Sequence, residues 1–300
     1  MKSIFHTAVV FEWNKVFCVE LEFLNGNYIL NSIGSYTSSI NTDDVDTLLK
    51  SPDSKKIISN ELSKFLSTIK CKSNHISFGL NSSMMFAESL PFEPTLNREE
   101  RIEHVTWELY QHFHHEESVS YASDVFITEE NNNLPFQQTI TVSIRQDAIS
   151  FFDDVAKCCG KELHILNVDH FGAEQSFLHN YLEDIPKSVI ILNCDEETTD
   201  ISILINGTSK YSASISIKDD IISRINELII KNKISKIFIH GRGMSAQFHE
   251  LLVSKVSIEV QLLDPFKSIK ISKQFSSQLE RIEQRHPFTS VTGLALRLPS

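Results

Sequence analysis

The sequence predicts an α/β protein of two related lobes with a small α+β subdomain inserted between them. Two strand meanders of the same size, over residues 5–33 and 188–217, are each followed by a helical pattern. A stretch of different order, β-α-β-β-α, lies between them over residues 84–162. The chain of 300 residues accommodates one large domain or two ordinary ones, and 41% apolar with 22% charged residues suits a folded protein, not a disordered one.

In the first meander, residues 5–11 and 16–23 are apolar runs rich in β-branched and aromatic side chains, joined by the turn Glu12-Trp13-Asn14-Lys15. Asn25-Gly26-Asn27 is a second turn, and residues 28–33 form the third strand. Helical character follows over 42–66, where Asp53 is placed to cap a helix carrying Ile57, Ile58, Leu62, Phe65 and Leu66 on one side. Residues 75–80 read as a short strand.

In the inserted stretch, residues 84–90 read as a strand ended by Pro91. Asn97 caps a helix running to about Phe113, with Glu100 three residues on to complete a capping box. Strands near 123–128 and 139–145, joined by the polar run 129–133, precede a helix over 147–159 that ends near Gly160.

A strand over 164–168 and a helix over 171–182 follow, broken at Ile185-Pro186. The second meander comprises 188–194, 199–205, the hairpin turn Asn206-Gly207 and 209–217. A helix over 219–230 comes next, then a buried-type strand over 236–240 that ends at Gly241-Arg242-Gly243. A helix over 246–255 and a strand over 258–262 lead to Asp264-Pro265-Phe266, and a last helix with Gly293 and Ala295 starts at Thr289. The expected division is a first lobe at 1–83 completed by about 267–300, the inserted subdomain at 84–162, a crossover at 163–187 and a second lobe at 188–266.

Composition narrows the function. With 28 basic and 39 acidic residues the net charge is −11, which argues against a nucleic-acid binder that works through phosphate contacts. No apolar run approaches the roughly 18 residues of a membrane span, so no membrane-spanning segment is expected. Cys18, Cys71, Cys158, Cys159 and Cys194 are dispersed and odd in number, as reduced thiols of a cytoplasmic protein would be. Only 9 residues are glycine, which leaves little room for several glycine-rich phosphate loops. The P-loop, the dinucleotide fingerprint, His-Glu-x-x-His and Gly-x-Ser-x-Gly are all absent from the sequence.

Three patterns carry chemistry. His104, Glu108, His112 and His115 share one helical face, where two histidines and a glutamate can bind zinc or nickel; a solvated face of Glu–His pairs is the favoured explanation, and no metal is assigned. The turn 193–200 offers Asp195 and Asp200 to a hydrated Mg2+, with Thr198 and Thr199 as hydroxyl donors for a phosphate. Gly241 and Gly243 follow a buried strand and precede a helix, where glycine lets backbone approach a ligand or simply closes a loop.

The order of these pieces resembles the actin-like ATPase superfamily, and most of all the PilM-type pilus assembly proteins and their type II secretion relatives. Residues 97–113 (NREERIEHVTWELYQHF) resemble the helix of that family's extra subdomain. Residues 193–217 (NCDEETTDISILINGTSKYSASISI) resemble its second phosphate hairpin. Residues 236–266 (KIFIHGRGMSAQFHELLVSKVSIEVQLLDPF) resemble its adenosine motif, and the closing VTGLALR matches the family's end.

The resemblance implies an actin-like (RNase H-like) two-lobed fold with ATP and Mg2+ between the lobes. It also implies a groove beside the subdomain that takes the short cytoplasmic tail of an inner-membrane partner. The sequence departs from the family where the chemistry would sit. The first phosphate loop, Asp-x-Gly with small hydroxyl residues in the family, is replaced by 11–15, which has no glycine; Glu12 stands near the family aspartate. Glu196 and Glu197 add two carboxylates to the second loop, which repel a triphosphate unless a cation intervenes. The residues expected to line a weakened nucleotide site are Glu12, Asp195, Thr198, Thr199, Asp200, Gly241 and Gly243, with ATP and Mg2+ not favoured.

The reading is a non-catalytic scaffold at the inner face of a membrane, bound to a protein partner and free to form homo-oligomers. The alternatives are an active ATPase or small-molecule kinase with Glu12, Asp195 or Asp200 as its carboxylate, and an RNase H-like metal-dependent hydrolase.

Overall fold

A computed structural model describes residues 3–42, 45–51, 53–81, 84–113, 119–128, 136–195, 198–216 and 220–299, apart from the side chains at 45–47 and 112–113. The polar run 129–133, Glu196, Glu197 and His115 lie outside the described residues, as does the side chain of His112.

The chain opens with β1 (Ile4–Glu12), β2 (Lys15–Leu24) and β3 (Asn27–Thr37), then α1 (Val45–Lys50), α2 (Ser54–Thr68) and β4 (His75–Leu80). The helical pattern expected over 42–66 is thus two helices. Asp53 sits at the N-cap position of α2 with φ −92° and ψ −17° and makes no side-chain cap bond. A cap needs extended backbone to aim its oxygen at the first turn, and these angles are helical.

The inserted part holds β5 (Phe86–Phe92), α3 (Arg98–Phe113), β6 (Tyr121–Ile127), β7 (Gln137–Arg145) and α4 (Gln146–Cys158). Pro91 lies inside β5 instead of ending it, because β5 is an edge strand whose outer N–H positions need no partner. The capping box of α3 is formed: the Asn97 amide donates to Glu100 Oε2 at 2.8 Å, and the Glu100 amide donates to Asn97 Oδ1 at 3.0 Å. After it come β8 (Glu162–Val168), α5 (Asp169–Asn180), β9 (Ser188–Cys194), β10 (Thr198–Ile205) and β11 (Thr208–Ser216). The chain closes with α6 (Ile221–Asn232), β12 (Lys236–His240), α7 (Ala246–Lys255), β13 (Glu259–Leu262), β14 (Lys270–Ile271), α8 (Lys273–Ser276), α9 (Ile282–Arg285) and α10 (Thr289–Ala295).

The two large sheets repeat one plan. The first runs β14-β3-β2-β1-β4-β8 and the second β11-β10-β9-β12-β13. Each is an antiparallel meander whose first strand then pairs with a parallel strand, β1 with β4 and β9 with β12. The second hairpin of each meander turns on Asn-Gly with both residues at positive φ: Asn25 52° and Gly26 78°, Asn206 51° and Gly207 73°. That geometry matches the twist of the flanking strands.

Each sheet buries two faces. On the first, Val9, Phe11 and Phe78 face Ile58 and Leu62 of α2 and Phe152 and Val155 of α4. The sequence grouped α4 with the inserted strands, yet its apolar side chains lie in this core. The opposite face, with Val10 and Leu21, packs on Val291 and Leu294 of α10. In the second lobe Ile190, Ile201 and Ile237 meet α6, while Val189, Ile191 and Phe238 meet Phe177 of α5 and Tyr181 just past its end. Helices α10 and α5 therefore stand between the sheets, one on each, and they cross at Gly172 and Gly293. A Cβ at Gly293 would lie 1.7 Å from the Gly172 carbonyl oxygen, and one at Gly172 would lie 2.2 Å from the Ser290 oxygen.

Candidate functional site

Strands β1 and β9 are central in their sheets, and their C-terminal hairpin turns meet across the gap between the lobes. The first turn is reduced to Trp13-Asn14, since Glu12 still pairs with Lys15. Trp13 has φ 57°, a left-handed conformation that costs an ordinary residue roughly 1–2 kcal/mol. Three bonds hold it there: the Trp13 carbonyl accepts from the Thr42 amide at 2.8 Å and the Thr42 hydroxyl at 2.7 Å, and the Asn14 carbonyl accepts from the Ser38 amide at 2.6 Å. So placed, the indole Nε1–H donates to Asp195 Oδ2 at 2.9 Å, after β9 in the other lobe. Asn81, just past β4, donates to the same oxygen at 3.2 Å, and the Arg242 guanidinium lies 3.6 Å from Oδ1.

Behind this contact lies a buried acidic group. Glu12, Asp169, Asp195 and Asp200 are each 5% exposed or less. Asn193 Nδ2 sits 3.4 Å from Asp169 Oδ2 and 3.3 Å from Asp200 Oδ2, and the His170 amide donates to Asp169 Oδ1 at 2.6 Å. Burial, reinforced by the charges of Asp200, Glu12 and Asp195, pushes the Asp169 carboxyl well above its ordinary range. Among the described residues no group of three or more His, Cys, Asp or Glu is arranged to hold a metal ion.

Thr198, Thr199 and Asp200 begin β10, with Thr199 opposite Cys194 and Asp200 opposite Asn193. Gly241 and Gly243 lie against this hairpin. Gly241 has φ 102°, and its Cβ would fall 2.4 Å from the Cys194 oxygen; a Cβ on Gly243 would fall 2.3 Å from the Asp195 carbonyl. The Gly243 amide donates to the Cys194 carbonyl at 2.8 Å. The backbone approach that glycine permits is used here against the chain itself. An indole spans the gap between the two turns, with the buried carboxylates directly behind it.

His104 Nε2 lies 3.5 Å from Glu108 Oε1, and its ring stacks edge-on against Phe92.

A second feature lies beside the inserted subdomain. Its sheet runs β5-β7-β6, and α3 covers one face through Val105 and Leu109. The strand pleat turns the alternate residues the other way. There the cross-strand pairs Ala122–Ile144, Asp124–Val142 and Phe126–Ile140 form one wall of a groove of about 560 Å3. Phe171 and Glu174 of α5 and Ser209 of β11 line the opposite side.

Among the seven sequence-predicted site residues, Glu12 from the first lobe and Asp195 and Asp200 from the second come together at the cleft. Sequence reasoning missed Asp169, Asn81 and Glu174. The available signal for Asp169 was its position, at the C-terminal end of a parallel strand where a helix begins, which is where open α/β sheets place ligand-facing groups.

Two sheets of one strand order, two helices packed between them and an extra three-stranded subdomain define an actin-like two-lobed fold. Among solved structures the chain is similar to the PilM-PilN type IV pilus biogenesis complex, with a TM-score of 0.75 at 13% identity over 97% of this chain and 98% of that one. It is also similar to the ethanolamine utilization protein EutJ from Carboxydothermus hydrogenoformans, with a TM-score of 0.52 at 10% identity over 99% and 90% of the two chains. The inorganic polyphosphate/ATP-glucomannokinase from Arthrobacter sp. strain KM gives 0.50 at 6% identity over 98% and 97%. No protein-family model and no curated protein matches the sequence. Among the described residues no helix is long and apolar enough to cross a membrane.

Proposed function

We propose that this protein is a non-catalytic actin-like scaffold that holds a segment of a protein partner in the groove beside its inserted subdomain. The observation that carries the reading is the groove wall itself. Phe126 is 53% exposed at one end of a face that carries Ala122, Ile140, Val142 and Ile144 together with Asp124, a largely apolar surface of the size that binding sites use. The match in fold to a chain of a two-protein pilus complex supports a partner of the same kind, the cytoplasmic tail of an inner-membrane pilus or secretion component. In this reading the protein works in the cytoplasm, at the membrane's inner face. The Trp13–Asp195 contact keeps the nucleotide cleft closed, and ATP–Mg2+ is not a working ligand.

A peptide array of the cytoplasmic N-terminal segments of single-span membrane proteins from the same cell, probed with the purified chain, tests the proposal. One or a few segments should bind, and Phe126→Asp should abolish that binding. Saturable micromolar binding of ATP–Mg2+ with no segment captured would overturn it in favour of an ATPase or kinase.

A further inference from the structure

The apolar groove contains one feature that an apolar occupant would not need. Glu174, on α5, lines it and is 7% exposed. The Glu174 Oε1 accepts from the Ser202 hydroxyl and, at 3.0 Å, from the Ser209 hydroxyl. Because the single Ser202 proton goes to Glu174, the His170 Nε2 must donate to Ser202 Oγ, 2.5 Å away. This chain from α5 through β10 back to α5 fixes the carboxylate in place. Both bonds fall on Oε1, and no Lys or Arg among the described residues pairs with Glu174. Asp124, on the facing wall, already has a cation in Arg98 at 2.9 Å. Arg297, which also lines the groove, makes no ion pair with Glu174.

An anion fixed in an apolar groove without a counter-ion selects its own complement, since apolar walls weaken solvent screening. We propose that the segment held in this groove is extended and apolar and carries one lysine or arginine, whose cation pairs with Glu174. The inference rests on the groove being a partner site and adds the chemistry of the partner. Burial pushes the Glu174 carboxyl up to about 7, against the two serine bonds that favour its ionised form. An arriving cation therefore displaces a proton, and the preference for it strengthens from pH 6 to pH 8. The charged and titratable groups around Glu174 are His170, reached through Ser202, with Asp124 and Arg297 across the groove.

Selection of a random dodecapeptide display library on the immobilised full chain tests this. On the wild-type protein at pH 8, selected peptides should share an apolar run with Lys or Arg at one fixed position. Replacing that residue by norleucine should weaken binding roughly 10-fold or more. On Glu174→Gln, which retains both serine bonds, the apolar run should persist and the cation preference vanish. Apolar peptides selected without a cation, or a cation preference that survives Glu174→Gln, would overturn the inference and leave the scaffold reading standing. If no selected peptide loses binding on Phe126→Asp, the groove is not a partner site and both fall. Thermal melts of Glu174→Gln and Phe126→Asp establish that each variant is folded.

Discussion

Trp13 and Asp195, 182 residues apart, are joined by one hydrogen bond of 2.9 Å that ties the turn of the first lobe to the turn of the second. Phenylalanine at 13 keeps the ring and removes only the donor. Trp13→Phe should cost about 1–2 kcal/mol in urea unfolding, the range for a part-buried bond to a carboxylate. Unchanged stability would mean that the bond contributes nothing to holding the lobes.

Gly293→Ala should destabilise the protein even though alanine is the better helix former by about 1 kcal/mol. The added carbon would meet the Gly172 oxygen at 1.7 Å and the Ser176 amide nitrogen at 2.7 Å, and both are backbone atoms that yield only if α5 moves. A loss of about 3 kcal/mol or more by denaturant melt is expected, and a gain would show that the two helices can part freely.

Glu20 is fully buried in β2 and accepts from the Thr7 hydroxyl at 2.7 Å, the Asn31 amide group at 2.5 Å, and the Lys72 and Ser73 backbone amides at 2.8 Å each. Glu20→Gln turns one acceptor into a donor facing donors. The expected cost is about 2–3 kcal/mol, with faster hydrogen exchange at Lys72 and Ser73 as its local signature.

Acid should weaken the fold through its buried histidines. His6 donates from Nδ1 to the Ala295 carbonyl at 2.9 Å and so must accept from Ser77 at Nε2, 2.8 Å away. Burial pushes it down to about 4, and His286 likewise to about 4. In the unfolded chain each titrates near 6.5, so the unfolded state takes up protons first. Their contribution is full above pH 6.5 and is lost as the pH falls through about 4, roughly 3 kcal/mol each. Glu174, raised to about 7, acts the other way: its contribution is full below pH 4.5 and lost as the pH rises through 7. His6→Asn, which preserves the donor to Ala295, should therefore lose less stability than the wild type between pH 7 and pH 5. Equal losses in the two proteins would place the acid sensitivity elsewhere.

Much of the element order was legible because its signals are local. The Asn-Gly turns, the Asn97–Glu100 box and the apolar runs of β9 and β12 each depend on residues a few positions apart. The stretch 267–288 gave no such signal. It is ordered by distant partners instead: Arg285 pairs with Asp264 at 2.7 Å, and the Ser268 amide donates to Asn180 at 2.8 Å. Glu20 illustrates the same limit, since alternation along β2 says nothing of the amides brought to it from residues 72 and 73.

By itself, the sequence determined an α/β chain with two similar strand meanders and an insertion between them, and a first turn, Glu12-Trp13-Asn14-Lys15, that holds no glycine. Those are properties of composition and spacing. Only the tertiary structure decided what fills that place. An indole from residue 13 reaches a carboxylate at 195, Asp169 joins the acidic group from a third element, and Glu174 comes to face strands inserted far earlier in the chain. The physical reason is that burial and charge environment belong to the packed neighbours of a side chain, and in this fold those neighbours come from opposite lobes.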